Sequence, residues 1–122
     1  MSQDFRDFYV GYEGEPELVF LSTTSDGAVT RLRMWIGHFD QIMQHVKPGP
    51  EGWTGLALPY HLETGWYEED PWSLARPDEA AEQLSQVDAG ELDAETADVL
   101  RGLVTLLQEA TRMKSKVDVH YT

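Results

Sequence analysis

The segment YHLETGWYEEDPW, Tyr60 to Trp72, sets five aromatic or imidazole rings among four carboxylates, with no lysine or arginine. Rings offer stiff contact area, and carboxylates offer a field that draws cations. Together they have the chemistry of a docking surface, with Tyr and Trp as anchors and acids as steering charge. Unpaired carboxylates are expensive to desolvate, so these acids are expected to point outward. Trp66 and Trp72 have a competing structural use, because their rings can pin a long loop to the domain. The expected partner-binding rim is Tyr60, His61, Glu63, Trp66, Tyr67, Glu68, Glu69 and Asp70.

Other chemistries fare worse. Glu68, Glu69 and Asp70 are consecutive, so they diverge and cannot converge on calcium as a spaced loop does. A glycosidase pair needs a rigid cleft, for which a domain this small has little room. His38 and His45 lie seven apart, near Asp40, and fit one helix face. A metal site needs a third placed ligand, so both are expected to be solvated helix residues. His61 reads as either a buried, hydrogen-bonded ring or a site residue, and His120 is expected to face solvent on a strand. The chain lacks a Gly-rich phosphate loop, G-x-S-x-G and H-E-x-x-H. The expectation is a protein that is not an enzyme, with no catalytic residue, metal or cofactor.

Charge narrows the partner. Nine basic and 22 acidic residues leave a net charge of −13. Residues 1–47 carry −3, residues 48–100 carry −12 with Arg76 the only base, and residues 101–122 carry +2. Nucleic acid and anionic membranes both require Lys and Arg, so neither is an expected partner. A basic protein is favoured, since opposite fields speed encounter. Acidity that serves solubility alone is the plainer alternative. No apolar run approaches the roughly 20 residues that span a bilayer, and MSQDFRDFYV shows no signal-peptide pattern. With no cysteine in the chain, the expected compartment is the cytoplasm.

A chain of 122 residues is expected to form one domain, residues 1–122. Phe5–Tyr12 alternates as a strand, Glu13–Pro16 turns, and ELVFLST is a second strand. Asp26-Gly27 signals a hairpin into a third strand ending at Ile36, with Thr30, Leu32, Met34 and Ile36 on one face. A helix from Val29 onward is the rival reading, because Leu32, Ile36, Phe39, Met43 and Val46 also fit helical spacing. A short helix is expected over His38–Val46. The 51–60 segment, with Trp53, Leu56, Ala57 and Tyr60 at helical spacing but Pro59 near its end, is read as a short helix. Residues 63–77 read as loop. Pro77 opens a modest helix, and Asp93 caps a long one over Ala94–Met113. Its apolar face is Ala97, Leu100, Leu103, Val104, Leu107 and Ala110, widened by Val99, Leu106 and Met113. KVDVHY is a last strand. The expected fold is α+β: an antiparallel sheet, made of an N-terminal three-strand meander plus the C-terminal strand, with helices packed on one face.

GWTGLALPYHLETGWYEEDPW, LDAETADVLRGLVTLLQEA and the short terminal strand together resemble small acidic immunity proteins of bacterial toxin–immunity systems. The resemblance implies a cytoplasmic, noncatalytic α+β domain that binds a cognate toxin, and it assigns no residue a role. The expected function is neutralisation of a basic partner by steric and electrostatic occlusion. The alternatives are an adaptor domain of a bacterial complex, and a small ligand binder or enzyme using His61, Tyr67 and the nearby acids.

Overall fold

The structure is a computed structural model that describes residues 3–9, 11–46, 72–74 and 76–121. Strands β1 (Gln3–Phe8), β2 (Glu17–Thr23) and β3 (Val29–Trp35) lead into helix α1 (Ile36–Gln44). A two-residue strand β4 (Trp72–Ser73), helix α2 (Pro77–Ser85), a 3₁₀ turn (Ala89–Glu91), helix α3 (Ala94–Met113) and strand β5 (Lys116–Tyr121) follow.

The chain is α+β, but its sheet is mixed, with strand order β1-β3-β2-β5-β4. The meander expected at the N-terminus is therefore wrong in one pairing: β1 lies parallel to β3, with Phe8 opposite Met34. The link between β1 and β2 explains this. Phe5–Tyr12 is not all strand, because the chain leaves the sheet after Phe8. Gly11 and Gly14 sit at φ 98° and 97°, where side-chain-bearing residues are strained. Turns close from Tyr12 N–H to the Tyr9 carbonyl and from Glu15 N–H to the Tyr12 carbonyl. The link is longer than the two to five residues of a tight hairpin. It passes the C-terminal end of β3, where Ile36 N–H donates to the Pro16 carbonyl at 3.1 Å. β2 then enters on the far side of β3.

The other pairings follow the patterning. β2 and β3 form the hairpin that Asp26-Gly27 signals, with Gly27 at φ 91°. The Thr24 carbonyl accepts from Gly27 N–H, and Thr24 N–H donates to the Ala28 carbonyl. β5 runs antiparallel to β2 and extends the sheet on that side. Trp72–Ser73 pairs with β5, so the stretch read as loop over 63–77 contains a short edge strand.

Period-two alternation buries Leu18 and Phe20 of β2, Leu32 and Met34 of β3, and Val117 and Val119 of β5 on one face. Phe39, Ile42 and Met43 of α1, Leu84 of α2, and Val99, Leu103, Leu106 and Leu107 of α3 cover that face in a single core. The helical reading of 29–35 is thus displaced, and α1 begins at Ile36, directly from the strand. Gly102 lets α3 lie close to the sheet: a Cβ there would sit 3.2 Å from Leu32 Cδ1 and 3.3 Å from Phe8 Cε2. Met113 departs from the expected apolar face and is 53% exposed.

The caps behave as their residue types require. Asp93 Oδ1 accepts from Thr96 N–H at 2.8 Å and starts α3. Pro77 opens α2, with Asp78 and Glu79 in its first turn. α3 ends in a left-handed Lys114 (φ 54°), and Ser115 N–H bonds back to the Ala110 carbonyl at 2.8 Å. Among the described residues, no helix is long and apolar enough to cross a membrane.

Candidate functional site

Tyr60, His61, Glu63, Trp66, Tyr67, Glu68, Glu69 and Asp70, the rim expected from the sequence, all lie outside the described residues, as does the helix expected over 51–60. Val46 is buried after α1, and Trp72 opposes Val119 at the sheet edge. Leu74 N–H then donates to the Val117 carbonyl at 2.9 Å.

Within the described residues, the chemistry-bearing groups collect where α1 meets the start of α3. His38 and His45 do share a helix face, but neither is simply solvated. His38 is 2% exposed, and His45 is half-buried. They face Glu95 and Glu91 respectively, so His38 of α1 and His45 at its C-terminal cap meet Glu95 of α3 and Glu91 of the 3₁₀ turn before it. Core packing of α1 turns this face inward, which a solvated-helix reading could not anticipate.

His38 Nδ1 lies 3.2 Å from Thr96 Oγ1, and Nε2 lies 3.2 Å from Glu95 Oε1. The second contact is close in distance but poorly aligned, so Nε2 makes no proper hydrogen bond among the described residues. A lone pair facing a carboxylate at that distance would be repelled. A proton at Nε2 is therefore favoured, and the direction of the Nδ1–Thr96 Oγ1 contact follows from whether Nδ1 also carries one. Tyr12 and Trp35 stack at 4.6 Å between centroids and 6° between planes, and both meet the His38 ring edge-to-face. The Tyr12 hydroxyl donates to Glu95 Oε2 at 3.1 Å. Desolvation, then the Glu95 bond and its charge, raise the Tyr12 phenol above its ordinary range. His45 Nδ1–H donates to the Gln41 carbonyl at 2.9 Å, and Nε2 stands 3.7 Å from Glu91, a charge pair only when the ring is protonated.

This cluster ties the β1–β2 link, α1 and α3 together. Among the described residues, no group of three His, Cys, Asp or Glu side chains converges. The cluster's signal in the sequence was faint, because Tyr12 and Glu95 are 83 positions apart and only the crossing of the link over β3 brings them together.

The second feature is electrostatic. Residues 76–98 contain eight acids and one base, a net charge of −7. Asp78, Glu82, Asp88, Glu91, Asp93, Glu95 and Asp98 are all exposed. The one base, Arg76, is held by Asp78 at 3.1 Å and lies 4.0 Å from Glu79. That guanidinium pulls the Asp78 carboxyl below the usual aspartate range. Asp93 is also held low, chiefly by the Thr96 backbone N–H. Glu13 and Glu15 of the β1–β2 link are exposed as well, and the Tyr12–Glu95 bond brings their link to the same end of α3. Opposite charge gathers at the far end of α3, where Arg112, Lys114 and Lys116 are exposed. At 1.5 Å per residue the twenty residues of α3 separate the two ends by about 30 Å.

The outer sheet face is internally neutralised by comparison. Arg33 Nε donates to Glu17 at 2.7 Å, Asp7 lies 3.5 Å away, and the guanidinium stacks 4.3 Å over the Tyr9 ring. Half-exposed His120 shares a shallow depression of about 340 Å³ with Glu17, Val19, Arg31 and Arg33.

Comparison with protein-family models, curated proteins and solved structures finds no match to this chain.

Proposed function

We propose that this chain is a noncatalytic protein-binding domain that occludes a basic protein, as an immunity protein does its cognate toxin. The observation that supports this reading most directly is the exposed, almost base-free acidic surface over residues 76–98. Such a surface repels nucleic acid and anionic lipid, and it accelerates encounter with a cation-rich protein. Solubility alone needs no such concentration of one sign of charge. The ring-and-acid stretch Tyr60–Asp70 belongs to the same reading, with Trp66 and Tyr67 as anchors and Glu63, Glu68, Glu69 and Asp70 as steering charge, and with Tyr60 and His61 beside them. The proposed compartment is the cytoplasm.

The test is co-expression with the product of the adjacent gene. A basic product that is toxic alone, harmless with this chain, and co-purifies with it supports the proposal. A neutral or acidic neighbour that neither harms the cell nor binds contradicts it.

A further inference from the structure

The seam between α2 and α3 stays open on its outer side. Near the 3₁₀ turn a depression of about 400 Å³ lies between Leu84, Val87 and Ala89 on one wall and Leu100, Val104 and Thr105 on the other. Ser85 joins it to a second depression of about 350 Å³ that ends between Asp78 and Thr111. From Leu100 to Thr111 the groove follows about 16 Å of the α3 axis. Its α2 rim and the turn beyond carry exposed Glu82 and Asp88, beside an Asp78 that is already held by Arg76. Arg101, the cation on the opposite wall, is paired with Asp98 and contributes little net positive field.

We propose that this groove receives a cationic amphipathic helix of the partner, an inference that rests on the functional reading above. The apolar lining belongs to the first depression, about 7.5 Å of the α3 axis from Leu100 to Thr105, and suits the anchors of about one to two helical turns. The second depression is polar, lined by Glu82, Gln108 and Thr111. Lysines or arginines beside those anchors meet the acidic rim. A second copy of this chain is a poor occupant, because it would bring −13 of its own charge to acidic walls.

Two synthetic peptides test the groove directly on the full chain: a Leu/Lys peptide with leucines at helical spacing, and one of equal charge with serine in place of leucine. The Leu/Lys peptide is expected to bind at least about tenfold more tightly, a difference of about 1.4 kcal/mol. Its amide shift changes should centre on Leu84–Ala89 and Leu100–Thr105. Thr105→Arg, which introduces a better helix former and fills the groove with a cation, should weaken it at least about tenfold. Val104→Ala, which trims one apolar wall, should weaken it to a smaller degree. Circular dichroism and thermal melting confirm that both variants fold. Equal binding of the two peptides, or shifts confined to the Glu13–Glu95 end, would overturn the proposal. So would a dimer of the free chain that Thr105→Arg disperses, since the groove would then belong to a second copy. If the co-expressed partner binds with full dependence on acidic charge but ignores Thr105→Arg, the groove proposal fails and the functional reading survives. If there is no basic partner, the reading fails and the peptides still decide whether the groove takes a cationic helix.

Discussion

Single side chains hold the acidic end of the molecule in shape. Glu95 accepts from Tyr12 and lies against buried His38, while Asp93 caps the same helix. Gly37 sits against the Trp35 indole, and a Cβ there would clash with the ring, 2.5 Å from Cζ3 and 2.6 Å from Cζ2. Gly37→Ala should therefore push Trp35 off Tyr12. The expected cost is about 1–3 kcal/mol, typical of overpacking, together with loss of near-ultraviolet dichroism from the stacked pair. An unchanged spectrum and melting point would show that the stack is incidental. Asp93 gives a pH test. Its carboxyl is depressed in the folded state, so the stability it contributes is present above the unfolded aspartate value and is lost as pH falls through the lower, folded value. The urea midpoint of the parent chain should exceed that of Asp93→Ala at neutral pH, and the two should converge in acid. A gap that stays constant across that range would remove Asp93 as the cap.

At the level of elements, α3 and β5 carry the fold. Leu103 and Leu107 are fully buried, so replacing either with Ala should cost about 2–5 kcal/mol in urea denaturation. Lys114 occupies left-handed backbone that costs most residues about 1–2 kcal/mol, a cost Gly avoids at some loss of chain entropy. Lys114→Gly should accordingly raise stability by about 0.5–1 kcal/mol, and a loss would mean that the side chain itself caps the helix. These elements were legible because their signals are local: an Asp cap, helical periodicity over twenty residues, and strict alternation in KVDVHY. The β1–β3 pairing was not, because alternation reports a strand and its buried face but not its neighbour. The start of α1 was misplaced for a different reason: Gly37 reads as a breaker, yet it is needed against Trp35. The His38 cluster depends on that same link crossing and was invisible with it. The acidity of residues 76–98 was plain in the sequence, whereas its distribution along two packed helices required the fold.

Across the whole molecule, charge is polarised between the acidic start and basic end of α3, on a chain of net −13. An exposed field of this kind acts on association more than on residence time, and salt screens it, with a Debye length of about 10 Å at 0.1 M and about 3 Å at 1 M. Charge reversal of Glu82, Asp88 and Glu91 leaves the Asp93 cap and the Glu95 contacts intact but removes the Asp88 cap of the 3₁₀ turn and the Glu91–His45 contact, so thermal melting must first show that the variant folds. The most direct measurement is the association rate of this variant and of the parent chain with the basic product of the adjacent gene, at both salt concentrations. The parent should associate at least about tenfold faster than the variant at 0.1 M, the two should converge at 1 M, and dissociation should change by less than about threefold. Equal association rates at low salt would contradict the account, because the acidic surface would then be solvated charge with no part in capturing a partner.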